Sequence, residues 1–110
     1  MYYQGITKQG VIENFILLEL ERKLSSTHDI RFYRKKSGAE IQFLLENKTT
    51  RKLTPIEVRI GNNTAISQAM KSFDESYNQF VENYMIFDES ETGQKTLNEK
   101  NVIILPHVAI

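Results

Sequence analysis

The stretch Ser37-Gly38-Ala39-Glu40-Ile41-Gln42-Phe43-Leu44-Leu45-Glu46, continued by Leu53-Thr54-Pro55-Ile56-Glu57-Val58-Arg59-Ile60-Gly61, decides how the chain folds. In the first half Ala39, Ile41, Phe43 and Leu45 fall on one face of an extended chain. Glu40, Gln42, Leu44 and Glu46 fall on the other. In the second half Ile56, Val58 and Ile60 share a face, opposite Glu57 and Arg59. Side chains alternate across a strand, so this period of two describes two half-buried strands. The polar segment Asn47 to Lys52 between them is short enough for a hairpin. With the apolar faces together, Glu40, Gln42, Glu57 and Arg59 gather on the other side. Acid, amide and guanidinium in one patch mark a site, or the remains of one.

Upstream of the hairpin, about Lys8 to Leu24 reads as a helix. Ile12, Ile16, Leu20 and Leu24 step by four, with Leu17 beside them. At about 100° per residue Glu13 falls on the same stripe. Two explanations stand side by side. An acid near a helix start suits the macrodipole and stays wet, or Glu13 points into the site. Val11, Phe15 and Leu18 form a second apolar face, so the helix is expected to be covered on both sides or to complete an interface. Ser25 to Asp29 is a polar break, and Ile30 to Lys36 reads as a strand. Its bases Arg31, Arg34, Lys35 and Lys36 interleave with Phe32 and Tyr33. That composition suits a nucleic-acid contact; it equally suits a solvated edge strand.

Downstream, a second helix is expected after Gly61, capped by Asn63 or Thr64. Ile66, Ala69, Met70, Phe73, Tyr77 and Phe80 follow a helical period, and a stripe of this kind is core packing. Tyr84 to Asp88 reads as a strand, so strand, helix, strand implies a right-handed parallel crossover beside Ile56 to Ile60. Glu89 to Lys100 reads as a polar loop. Val102 to Leu105 is a last, apolar strand closed by Pro106.

The whole chain, 1–110, reads as one domain, with 40% apolar and 25% charged residues. Fourteen bases cancel fourteen acids, so only local clustering could favour nucleic acid or a membrane surface. No cysteine is present, which excludes disulfides and thiolate metal sites and fits a reducing cytoplasm. No apolar run is long enough to span a bilayer, and the start lacks the pattern of a signal peptide. A cytoplasmic location without membrane contact is therefore expected. His28 and His107 fit no zinc spacing, Gly61-Asn62-Asn63-Thr64 is no phosphate loop, and no serine sits in a nucleophile elbow.

The order helix, three-strand meander, helix, strand, with an acid on the first helix, Gly38-Ala39-Glu40-Ile41-Gln42-Phe43 and Pro55-Ile56-Glu57-Val58-Arg59, resembles the restriction-endonuclease-like PD-(D/E)xK superfamily. More narrowly, the chain looks like the domain of unknown function that follows the ATP-binding module in prokaryotic P-loop ATPases. Glu13-Asn14-Phe15 with Glu19-Leu20 carries that likeness. So do Phe32-Tyr33-Arg34 with Lys36 to Glu40, Ile56-Glu57-Val58, and the closing Val102 to Pro106. The resemblance covers nearly the whole chain. It implies an α/β fold with a mixed central sheet flanked by helices. It also implies that this domain is the C-terminal part of a longer chain whose ATPase module is its partner.

In nucleases of that superfamily an aspartate on the middle strand and a glutamate on the next bind Mg²⁺. A lysine two residues on handles the attacking water, and a glutamate on the first helix supports the metal. The resemblance carries these roles to Gln42, Glu57, Arg59 and Glu13. An amide at Gln42 offers Mg²⁺ a dipole in place of a charge. Arg59 cannot be deprotonated and is bulkier than an ammonium. Glu40, one strand period from Gln42, is a displaced ligand candidate. The expectation is a degenerate site in which Arg59 pairs with Glu57, Glu13 or Glu40 and holds the first helix on the sheet, with no metal or cofactor. The domain would then bind a partner protein or, weakly, nucleic acid. The rival is a Mg²⁺-dependent nuclease using Glu13, Glu40 and Glu57. A third reading is a structural or dimerising domain.

Overall fold

The computed structural model describes residues 8–32, 41–59, 65–88 and 92–106. In chain order these form α1 (Lys8–Leu24), β1 (His28–Phe32), β2 (Phe43–Asn47), β3 (Leu53–Val58), α2 (Gln68–Tyr77), a 3₁₀ turn (Asn78–Phe80), β4 (Tyr84–Asp88), β5 (Gly93–Leu97) and β6 (Lys100–Pro106). The six strands make one mixed sheet in the order β1-β2-β3-β4-β6-β5. The meander β1, β2, β3 is antiparallel, while β3, β4 and β6 run parallel. The expected crossover from β3 through α2 to β4 is present.

Each helix covers one face. Ile16 and Leu20 of α1 pack with Phe43, Leu45, Ile56, Val58 and Phe87. Ala69, Met70 and Phe73 of α2 pack with Ile41, Val81, Tyr84, Ile86, Val102 and Ile104. Alternate residues of the central strands thus feed both layers, so β3 and β4 are buried almost throughout. Ile56 and Val58 lie on the α1 side and not beneath Met70 and Phe73. Ile41 parts from Phe43 and Leu45 to join the α2 layer. It lies in a bent segment just before β2, where strict alternation does not hold.

Several expectations are corrected. The loop expected over Glu89 to Lys100 contains β5, paired antiparallel with β6. Asn98 and Glu99 turn the hairpin with φ of 47° and 72°, the left-handed pair that a two-residue hairpin turn demands. Four of the five β5 residues are exposed, so this edge strand carries no apolar alternation to read. β1 begins earlier than expected, at His28, and Tyr33 to Lys36 lie outside the described residues. Helix α2 begins at Gln68, capped by Ser67, whose hydroxyl accepts from the Met70 amide at 3.1 Å. Asn63 and Thr64 lie outside the described residues. The helix also ends before Phe80. The tighter 3₁₀ turn swings Phe80 off the core stripe, leaving it 49% exposed, with Tyr77 at 41%.

Candidate functional site

Glu57 and Arg59 stand at the carboxyl end of β3, where the chain leaves the sheet for α2. They are two residues apart and so share a face. Arg59 donates to Glu57 Oε2 from Nε at 3.0 Å and from Nη2 at 2.8 Å. Nη1 donates to the Ala65 carbonyl, and the Ser67 hydroxyl donates to Glu57 Oε1. Both side chains are largely removed from water, at 7% exposure for Glu57 and 15% for Arg59. The guanidinium therefore occupies one carboxylate oxygen and the cap of α2 occupies the other. The pair stitches β3 to the start of the second helix. It was expected to hold the first helix; the partners in the described structure come from α2 and its approach.

Gln42 also reaches this end. Its Oε1 accepts from the Val58 amide at 2.9 Å, so the side-chain carbonyl acts as a backbone acceptor where β2 has not begun. On β4 the Val58–Phe87 register and the Arg59 amide bond to the Phe87 carbonyl at 2.8 Å bring Asp88 alongside Arg59. Asp88 is fully buried and shares the parity of Tyr84 and Ile86, which face α2. Ser67 and Asp88 were both missed in the sequence. Ser67 falls three residues before Met70, a spacing that suits a cap, but Asn63 and Thr64 offered the same chemistry nearer the expected start. Asp88 reads as the polar end of an apolar strand and carries no signal of its own.

Glu13 is half-buried on α1, lining an open pocket with Phe32 and Phe43 of the α1 side. Glu57, tied to the α2 cap, faces the other layer. The structure brings Gln42, Glu57 and Arg59 together and sets Glu13 apart; Glu40 lies outside the described residues. Among the described residues no three His, Asp or Glu side chains form a metal-binding group.

The basic patch is answered locally where it is described. Arg31 lies 3.2 Å from Glu46 and 3.9 Å from Asp29. Arg51 lies 3.1 Å from the other Glu46 oxygen. The ammonium groups of Lys48 and Lys52 donate to the carbonyls of Ser25 and Gln79 at 2.8 and 2.9 Å. Arg34, Lys35 and Lys36 lie outside the described residues. No helix among the described residues is long and apolar enough to cross a membrane.

A second buried carboxylate, Asp74 on α2, accepts from the Tyr84 hydroxyl at 2.6 Å, from Asn78 Nδ2 at 2.9 Å and from Asn98 Nδ2. Burial alone would raise its pKa. The hydrogen bonds from Asn98, Tyr84 and Asn78, with Lys100 nearby, outweigh that and hold it below the ordinary aspartate value. Burial, then the hydrogen bond to Asp74 and its charge, push the Tyr84 hydroxyl far up, so it remains a donor.

No curated protein and no solved structure matches this chain. The sequence profile of the domain of unknown function DUF4143 matches residues 8–108, nearly the full length, and the chain belongs to that family.

Proposed function

We propose that this domain is a catalytically degenerate restriction-endonuclease-like module, an accessory of a prokaryotic P-loop ATPase in the cytoplasm, which binds a partner protein or nucleic acid. One observation carries the reading: Arg59 bonds the carboxylate of Glu57 while Ser67 takes its second oxygen. Mg²⁺ needs hard anionic oxygens that can turn towards it. A guanidinium in two-pronged contact competes for those oxygens directly, and it cannot release its proton to yield. Gln42 supplies no charge, and its carbonyl already serves Val58. The helix, three-strand meander, helix, strand order supports the fold assignment, with β5 and β6 as additions at the far side of the sheet. For nucleic acid, the neutralised Arg31 and Arg51 leave weak, salt-sensitive contact as the expected mode.

The test is Mg²⁺-dependent cleavage of DNA and RNA, with Mg²⁺ binding followed by calorimetry. The expected result is neither cleavage nor saturable metal binding. Cleavage abolished by Glu57→Ala would overturn the reading in favour of a nuclease.

A further inference from the structure

Among the described residues β1 has a neighbour on one side only, β2, and so forms an edge of the sheet. The phase of the ladder tells which of its peptide groups face outward. The Lys48 amide donates to the Thr27 carbonyl at 2.9 Å, which makes Thr27 and Lys48 a bonded pair. Bonded and non-bonded pairs alternate along an antiparallel ladder, and the next bonded pairs in register are Asp29 with Glu46 and Arg31 with Leu44. The Asn47 amide agrees: it turns from His28 to the Lys52 carbonyl on the β3 side. The peptide groups of Asp29 and Arg31 therefore face β2, and those of His28, Ile30 and Phe32 point outward.

The two edges of the sheet differ in how they are guarded. Proteins commonly protect an open edge with lysine, and β5, the opposite edge, has exposed Lys95 at its middle. β1 has no lysine. It sets one acid and one base, Asp29 and Arg31, on either side of Ile30, and it leaves Phe32 70% exposed, an unusual display for a phenylalanine. Glu46 is shared between Arg31 and Arg51. Among the described residues Asp29 has one loose ionic contact, Arg31 at 3.9 Å, and the two side chains are 43% and 58% exposed.

A half-turn about an axis through Ile30, perpendicular to the sheet, brings up a second copy antiparallel to the first. Ile30 then meets the partner's Ile30, and Phe32 meets the partner's His28. These are the outward-facing residues, so each such pair can exchange two N–H···O bonds. Asp29 falls opposite the partner's Arg31, in the non-bonded pairs where side chains come closest. Moving the axis by one residue either way sets Asp29 against the partner's Asp29, or Arg31 against the partner's Arg31. Hydrogen-bond phase and charge select the same register. A foreign strand could fill the backbone bonds, but a second copy matches the charges by symmetry.

We propose that β1 is a self-recognition edge, through which two copies of this chain join their six-stranded sheets into one across a twofold axis at Ile30. Both α1 helices then lie on the same face. The contact is isologous and uses up the edge, so assembly stops at the dimer. This goes beyond the reading of the Glu57 pair and does not depend on it.

Sedimentation equilibrium and amide hydrogen exchange on the whole chain test the pairing. Two short strands bury little surface, so a dissociation constant on the order of 100 μM is expected. The mass should climb from monomer to dimer across that range and no further. Exchange at the His28, Ile30 and Phe32 amides should slow as concentration rises, while the Asp29 and Arg31 amides stay protected throughout. Asp29→Arg alone and Arg31→Asp alone each set like charges face to face twice, and each should weaken self-association by about tenfold. Mixing the two variants should restore association, because every acid then faces a base of the other chain. Neither position is buried, so both variants should fold. Recovery on mixing is something a merely structural role for these residues would not produce. A monomer at every concentration, indifference to both substitutions, or no recovery on mixing would overturn the proposal. A monomer without Mg²⁺-dependent cleavage sinks the β1 pairing alone. A dimer that cleaves through Glu57 sinks the degenerate-site reading alone.

Discussion

Glu57 and Asp74 are two carboxylates buried in the α2 layer, and they are held by opposite means. Glu57 is met by a full positive charge, and the pair is neutral as a unit. Asp74 is met by three neutral donors drawn from the 3₁₀ turn after α2, from β4 and from the β5–β6 turn, so it stays an anion wrapped in dipoles. It does so near the carboxyl end of α2, where the helix dipole disfavours an acid. The first arrangement cancels the charge within the pair. The second keeps charge where it joins three elements. A buried acid is thus no sign of a reactive site until its partners are known.

Breaking the charged pair should produce the largest effect. Glu57→Ala leaves the Arg59 guanidinium buried without its anion and is expected to destabilise by about 3–5 kcal/mol in urea unfolding. Replacing both residues by apolar ones of similar size should cost far less, since a buried ion pair contributes little net stability. If the single and double replacements cost the same, the pair is not the neutral unit described.

The Asp74 joint should break in a graded way. Tyr84→Phe removes one hydrogen bond to a charged acceptor and should cost about 1.5–3 kcal/mol. It also removes one of the donors that lower the Asp74 pKa. The folded pKa lies below the unfolded value, so the stabilisation is present above the unfolded value and is lost as pH falls through the folded one. Acid unfolding of Tyr84→Phe should therefore set in at a higher pH than in the natural chain. Identical acid midpoints would count against the hydrogen-bonded anion.

The smallest effect separates the two roles of Ser67. Its hydroxyl caps α2 and also donates to Glu57. Ser67→Ala should cost about 0.5–2 kcal/mol, the range for a lost cap. Asp at this position would preserve the cap but set a second anion against Glu57. Ser67→Asp should therefore be less stable than Ser67→Ala, reversing the usual preference at a cap.

The parts of the fold legible in the sequence were those where one period dominates. α1 and the meander follow from the four-residue steps and from alternation about Gln42 and Glu57. β5 was illegible because an exposed edge strand has no apolar face, and its turn, Asn98-Glu99, lacks the usual glycine. Phe80 misled because periodicity continues through a helix end that the backbone does not respect. At the site, the contact of Arg59 with Glu57 was legible from their spacing and charges. The part of α2 was not, because Ser67 and Ala65 come near β3 only once the crossover is closed.

Gln42 has a consequence for how this chain could change. Its side chain reaches Val58 because it is one methylene longer than the aspartate of the nuclease pattern. Gln42→Asp would lose that bond, at about 1–3 kcal/mol for a buried amide stripped of an acceptor. It would also place a third carboxylate near Glu57 and Asp88, while Arg59→Lys would exchange the guanidinium fork for a point charge. Neither step alone yields a metal site, and the first weakens the fold. A step to aspartate therefore runs downhill in stability before it offers anything in chemistry. A glutamine that mimics backbone in this way holds its position against that substitution.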